Sequence, residues 1–204
     1  EIPLRLVGSE MCIRDRDVAM DGDNVREVSA DNEKASFEEV EHLIENGYCN
    51  IAMLSGKKMA QVSERRESGY KRALEKHGFR VREEWIVDCQ FDQSTAMQKA
   101  MELKRRYPGI DAFFCASDGI AIGAIDGMMQ LGMQVPQDVA VAGFDDFTVS
   151  KYIHGGITSV KQYPYEMGVA CANTVVSMID GNRVPDWIPM EYKLMKRTST
   201  KAKL

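Results

Sequence analysis

Short apolar runs alternate along the chain with stretches whose apolar residues recur at helical spacing. Residues 18–20 (VAM) form a short apolar run before Asp21 and predict a strand. Asp31 or Asn32 can cap the helix that follows, in which Phe37, Val40, Leu43 and Ile44 share a face until Gly47 stops it. Residues 50–54 (NIAML) predict a buried strand. A helix over 64–76 groups Tyr70, Ala73 and Leu74 and ends at Gly78. Residues 85–89 are strand-like. Ser94 can cap a helix carrying Met97, Ala100, Met101 and Leu103, which Pro108 and Gly109 terminate. Residues 112–116 (AFFCA) predict another buried strand. The helix at 118–131 is apolar nearly all round and so belongs to a core or an interface. Strands are expected at 139–143 and 157–160. A helix over about 165–180 buries Val169, Ala172, Val176 and Ile179, and the stretch 187–196 is extended.

Strands without a polar face, alternating with helices, predict a parallel sheet covered on both sides. Right-handed crossovers make this a doubly wound α/β fold, with ligands expected beyond the carboxyl ends of the strands. Residues 1–16 stand apart: they carry no clean period, and MCIRDR looks like translated adapter sequence. Native sequence is expected to begin near Asp17.

Composition narrows the function. A net charge of −5 over 204 residues argues against broad nucleic-acid contact, which requires clustered Lys and Arg. No apolar run is long enough to span a membrane, and no export signal is visible. The five cysteines are scattered, with no CxxC pair, and fit the cytoplasm better than an oxidising compartment. No metal or cofactor is implied. The three histidines lie far apart, and GxSxG, GxxxxGK[ST] and HExxH are all missing, so no catalytic residue is assigned. Asp145 and Asp146 follow the strand at 139–143. Adjacent residues in a turn point apart, which disfavours a shared-proton pair. Either one of them hydrogen-bonds a polar ligand, or the pair is a solvated loop with a helix cap.

Several longer patterns carry a resemblance. VPQDVAVAGFDD (135–146) and FFCASDGIAIGAIDGMMQLG (113–132) resemble the lactose/galactose repressor (LacI/GalR) family of bacterial regulators. VSADNEKASFEEVEHLIENGYCNIAMLSG (28–56), RRESGYKRALEKHG (65–78) and ITSVKQYPYEMGVACANTVVSMIDG (157–181) match in order and spacing. Together they cover roughly 17–199. The resemblance implies a periplasmic-binding-protein-like fold of two α/β subdomains with a small-molecule cleft between them. The second subdomain would comprise 32–162 and 192–199 and be essentially complete. The first would be partial, at 17–31 and 163–191, with 200–204 as a tail. The DNA-binding headpiece of the family would lie outside this chain. With its neighbours missing, the helix at 165–180 is expected to expose Val169, Val176 and Ile179, so that the isolated chain aggregates or binds ligand weakly.

The resemblance also implies a site. Arg66 matches an effector-contacting arginine, whose planar fork suits paired hydroxyls or a carboxylate. Otherwise it is a surface ion pair with Glu64 or Glu67. Phe91 matches an aromatic that stacks on the effector, and otherwise packs at a strand end. Ser117 stands where other members place Asn or a small residue, a departure on the side that recognises ligand hydroxyls. Asp118 beside it reads better as a helix cap. Asp145 matches the acid that binds ligand hydroxyls, Gln162 lies at a crossing between subdomains, and Asp21 matches an acid on the first-subdomain wall. The implied function is sensing of a small, sugar-like effector by a cytoplasmic homodimer, with population shifts passed to the headpiece and DNA touched only through it. The alternative is a periplasmic sugar-binding protein serving a transporter. An α/β enzyme is a more distant rival, lacking a visible nucleophile–base pair.

Overall fold

A computed structural model describes residues 25–58 and 60–202. The calls on residues 1–16, on the strand at 18–20 and on Asp21 lie outside the described residues. The chain forms two compact units. One holds Tyr163–Glu191 with the chain up to Asp31, and the other holds Asn32–Gln162 with the chain from Tyr192 onward.

The larger unit is a six-stranded sheet. Its strands are β2 (Ile51–Ser55), β3 (Ile86–Asp88), β4 (Ala112–Cys115), β5 (Ala140–Asp145), β6 (Thr158–Lys161) and β8 (Lys193–Met195), in the order β3-β2-β4-β5-β6-β8. All neighbours are parallel except β6 and β8. Helices α1 (Asn32–Glu45) and α2 (Gln61–Lys76) pack on each other, as do α3 (Gln93–Arg106) and α4 (Asp118–Gln130). Every residue of β2 and β4 is buried. That is the continuous apolar signature of strands covered on both faces.

Helix α4 owes its fit to glycine. A Cβ on Gly123 would stand 2.2 Å from the Gln93 carbonyl oxygen, and one on Gly127 would stand 2.8 Å from that of Met97. The two helices therefore meet backbone to side, and Ile120, Ala124, Ile125 and Met128 enter the core. The near-uniform apolarity of this helix is explained by core packing, with Met129 left exposed.

Two capping expectations are corrected. Helix α3 is capped by Asp92, whose carboxylate accepts from the Thr95 backbone N–H at 2.7 Å, while the expected cap, Ser94, donates to that same carboxylate. Helix α4 is capped by Ser117, which accepts from the Ile120 N–H at 3.3 Å, and Asp118 turns inward. An acid accepts bonds wherever donors converge, and at 118 they converge from inside the fold.

In the smaller unit, β1 (Glu27–Ala30) pairs in parallel with β7 (Trp187–Met190). The indole of Trp187 donates to the Ser29 hydroxyl at 3.1 Å. Helix α5 (Pro164–Ile179) starts on a proline, whose missing N–H costs nothing at a first helical turn. Gly181, at φ +76°, lets the chain leave it. Met167 is the one buried residue of α5, and Val169, Val176 and Ile179 are exposed.

Candidate functional site

The chain enters the sheet at β2, moves outward to β3, then crosses back to β4 on the other side of β2. The loops after β2 and β4 therefore diverge, leaving a crevice at the carboxyl ends of the strands. Arg66, Phe91, Ser117, Asp145 and Gln162 all map to this end of the sheet, three following β3, β4 and β6, one ending β5 and one on α2.

Arg66 is the anchor. It lies in the second turn of α2 and is 3% exposed. Its Nε donates to Asn32 Oδ1 at 2.9 Å, its Nη1 donates to the Ala116 carbonyl, and its Nη2 stands 3.5 Å from Asp145 Oδ1. The guanidinium carbon lies 3.6 Å from the centroid of the Phe144 ring. A buried guanidinium needs such compensation, since an unpaired buried charge costs several kcal/mol, roughly 3–5 when one partner is removed. The surface ion pair with Glu64 or Glu67 does not form.

Asp145 ends β5, and the sheet register pairs it with Lys161. Gln162, one residue further, thereby reaches it, and Nε2 donates to Asp145 Oδ1 at 2.6 Å. Asp145 and Asp146 have φ of +96° and +50°, a region that non-glycine residues enter rarely, aspartate more readily than most. This backbone sends the two carboxylates to different partners: Asp145 to Arg66 and Gln162, Asp146 to Arg197 Nη2 at 2.6 Å. The spacing argument against a shared-proton pair agrees with this geometry.

Asp118 supports the site from below. It accepts from the Phe147 N–H at 2.6 Å, the Ser150 hydroxyl at 2.5 Å and the Ser159 hydroxyl at 2.7 Å. Burial pushes its carboxyl up to about 6, against the pull of those hydrogen bonds. It thereby ties the start of α4 to β6 and to the loop that follows Asp145 and Asp146.

Phe91 sits apart from the Arg66–Asp145–Gln162 cluster. Its φ is +56°, and its ring lies over Gly56, where a Cβ would come within 2.1 Å of it. The ring is 39% exposed, so packing at the strand end accounts for only part of it. Ser117 is nearly buried and acts as the α4 cap, next to the Ala116 carbonyl that holds Arg66. Asn32, Phe144 and the Ala116 carbonyl escaped sequence reasoning. Asn32 reads as a helix cap by type, and a backbone carbonyl leaves no trace in a side-chain pattern. Among the described residues no cluster of His, Cys, Asp or Glu could hold a metal, and no helix is long and apolar enough to cross a membrane.

The cluster can orient polar groups. Sequence comparison bears on what it orients. The profile of the family described as "Periplasmic binding protein-like domain" matches residues 40–200. The chain belongs to this periplasmic binding protein-like domain family. It is 32% identical over 170 residues to a probable HTH-type transcriptional repressor, ExuR, of Bacillus subtilis (strain 168), covering 83% of this chain and 50% of that protein. It is 30% identical over 176 residues to catabolite control protein A of Priestia megaterium, covering 85% and 53%. Among solved structures it is similar to a transcriptional regulator CelR–cellobiose complex, with a TM-score of 0.84, 32% identity and coverage of 90% and 57%. The Escherichia coli transcriptional repressor AscG gives 0.80, 29%, 91% and 68%. The chain spans about half the length of the curated relatives it matches.

Proposed function

We propose that this chain is the effector-binding part of a LacI-type transcriptional regulator and that it takes a sugar-like polyhydroxylated molecule at the carboxyl ends of its larger sheet. The observation that carries this reading is the Arg66–Asp145–Gln162 cluster, in which a carboxylate is held by an arginine and an amide at the mouth of a doubly wound sheet. A carboxylate has lone pairs enough to accept two ligand hydroxyls, and the arginine fork offers donors beside them. Phe91 supplies an exposed ring for stacking and Ser117 a hydroxyl next to the cluster. The relatives and solved structures compared above are transcriptional regulators, which favours this reading over a transport-linked binding protein or an enzyme. The regulator would act in the cytoplasm as a homodimer, with DNA held by a headpiece belonging to the longer protein. The division at Asp31 and Gln162 supports a second, effector-binding subdomain made of 32–162 and 192–199.

A thermal-shift panel of cellobiose, monosaccharides, sugar acids and nucleobases tests the reading, since a ligand that binds only the folded state raises its apparent stability. At least one sugar is expected to raise Tm in the wild-type chain and not in Asp145→Ala. Stabilisation by nucleobases alone, or a sugar shift that survives Asp145→Ala, sinks it.

A further inference from the structure

Arg197 stands outside the Arg66–Asp145–Gln162 cluster, yet it holds the residue next to Asp145. Its Nη2 donates to Asp146 Oδ1 at 2.6 Å, and its Nη1 donates to the Ile157 carbonyl at 2.6 Å. We propose that Arg197 is a positioning residue for the effector site: by pinning Asp146 it fixes the turn that presents the Asp145 carboxylate to the ligand. This rests on the effector-site reading of Asp145.

Arg197 is itself firmly anchored. It follows β8, which pairs with β6, and its backbone N–H donates to Thr158 Oγ1 at 2.8 Å. Its side chain passes over Gly156, where a Cβ would come within 2.7 Å of Arg197 Cδ. The planar fork then reaches two acceptors at once, the Ile157 carbonyl and Asp146, which suits a guanidinium and not the point charge of a lysine. Two residues on, the Ser199 hydroxyl accepts from the Thr158 N–H at 2.8 Å and donates to the Val141 carbonyl at 2.6 Å, which holds the segment against β5 and β6.

Asp146 depends on its partner more than Asp145 does. The Asp146 side chain is 1% exposed and the Asp145 side chain 22%. A buried carboxylate stripped of its cation is unfavourable enough to drive rearrangement toward water. Asp146 is held at its carboxylate by Arg197 and at its backbone N–H by Ser159 Oγ, at 3.0 Å. Asp145 has a long contact with Arg66, at 3.5 Å, and one short bond from Gln162 Nε2, at 2.6 Å. Both use Oδ1, so among the described residues Oδ2 is the oxygen left for a ligand hydroxyl. The two aspartates form one turn at successive positive φ, and release of the Asp146 carboxylate frees that turn and Asp145 with it. Effector affinity then falls with the fraction of molecules whose turn is in place.

The first test needs no ligand. The side-chain amide resonances of Gln162, whose Nε2 donates to Asp145, are compared by NMR in the full chain and its variants. They are expected to shift in Arg197→Met. Asp146→Asn breaks the same ion pair from the other side, should shift them likewise, and serves alone should Arg197→Met fail to fold. The double variant should shift them no further than either single one. Ser199→Ala separates positioning from plain stability: it loosens the same segment and lowers the urea midpoint, yet should leave the Gln162 resonances in place. Unmoved resonances in Arg197→Met and Asp146→Asn, or an equal shift in Ser199→Ala, overturn the proposal. In a second arm, cellobiose affinity is measured for the same chains. Arg197→Met weakens it about tenfold, the order of one charge-assisted hydrogen bond, and Ser199→Ala does not. Wild-type affinity in Arg197→Met, or equal weakening in Ser199→Ala, also overturns it. Failure of cellobiose to bind the wild-type chain counts against the sugar reading, and the Gln162 resonances then decide the role of Arg197 by themselves.

Discussion

Asp118 shows how a single side chain can be misread by type. Ser-Asp before an apolar helix looks like a cap, and either residue could serve. The structure gives the cap to Ser117 and turns Asp118 inward to three donors. Its carboxyl is raised from 3.8 to about 6, chiefly by burial. For an acid whose folded pKa exceeds its unfolded value, the stabilising contribution is complete below the unfolded pKa. It is lost as the pH rises through the folded one. Asp118 should therefore weaken the fold progressively from about pH 4 to about pH 6, by on the order of 3 kcal/mol, and contribute no further slope above that. Chemical denaturation of wild type and Asp118→Asn across this range checks it. The stability difference between them should shift toward the variant as the pH rises and then level off. A difference independent of pH would show that Asp118 does not titrate there. Arg66 and Asp145 were legible because an arginine and an acid at those places match a familiar pattern. Asn32 and Phe144 were not, because their contacts with Arg66 arise from which helix face meets which strand end.

At the scale of elements, the apolar runs were the reliable guide. β2, β4 and β5 are buried along nearly their whole length, and a continuous apolar run bounded by turns admits few other readings. The edges were harder. β3 is three residues of intermediate burial preceded by a tight helical turn at Glu83–Trp85, and β1 is four residues that no periodicity distinguishes from a loop. The glycines of α4 were visible in sequence, yet their purpose appears only when α3 is laid against them. They supply a paired prediction. Gly123→Ala places a methyl 2.2 Å from the Gln93 carbonyl, so α3 and α4 must separate. That overpacking is expected to cost about 1–3 kcal/mol, outweighing the roughly 1 kcal/mol by which alanine favours a helix. Gly119→Ala, in the same helix, meets nothing closer than the Ser117 hydroxyl oxygen at 3.8 Å and should be neutral or slightly stabilising. Urea midpoints of the two variants separate the effects. If Gly123→Ala proves as stable as wild type, the close approach of these helices is not a structural requirement.

At the scale of the whole molecule, the two units differ sharply in how well they bury themselves. The larger unit encloses a core running through both faces of its sheet, from Tyr70 and Phe114 to Ile125 and Val141. The smaller unit, among the described residues, has a two-stranded ribbon and one helix. That helix carries exposed Val169, Val176 and Ile179 at 44%, 56% and 59%. Val169, Val176 and Ile179 recur at spacings of seven and three, so they form a continuous apolar strip along α5. Strips of this kind on a soluble chain promote association, because each buried square ångström of apolar surface contributes roughly 25 cal/mol. Replacing Val176 and Ile179 together with glutamate adds charge to the strip without touching any residue of the larger core. The double variant is expected to run at a lower mean mass than the wild-type chain in light scattering coupled to gel filtration, most clearly at high protein concentration. The urea midpoint of the larger unit should not change, since both side chains belong to the smaller unit. An unchanged mass distribution would mean that self-association, where it occurs, uses another surface. A fall in mass accompanied by loss of the larger unit's stability would mean that the strip is a structural contact.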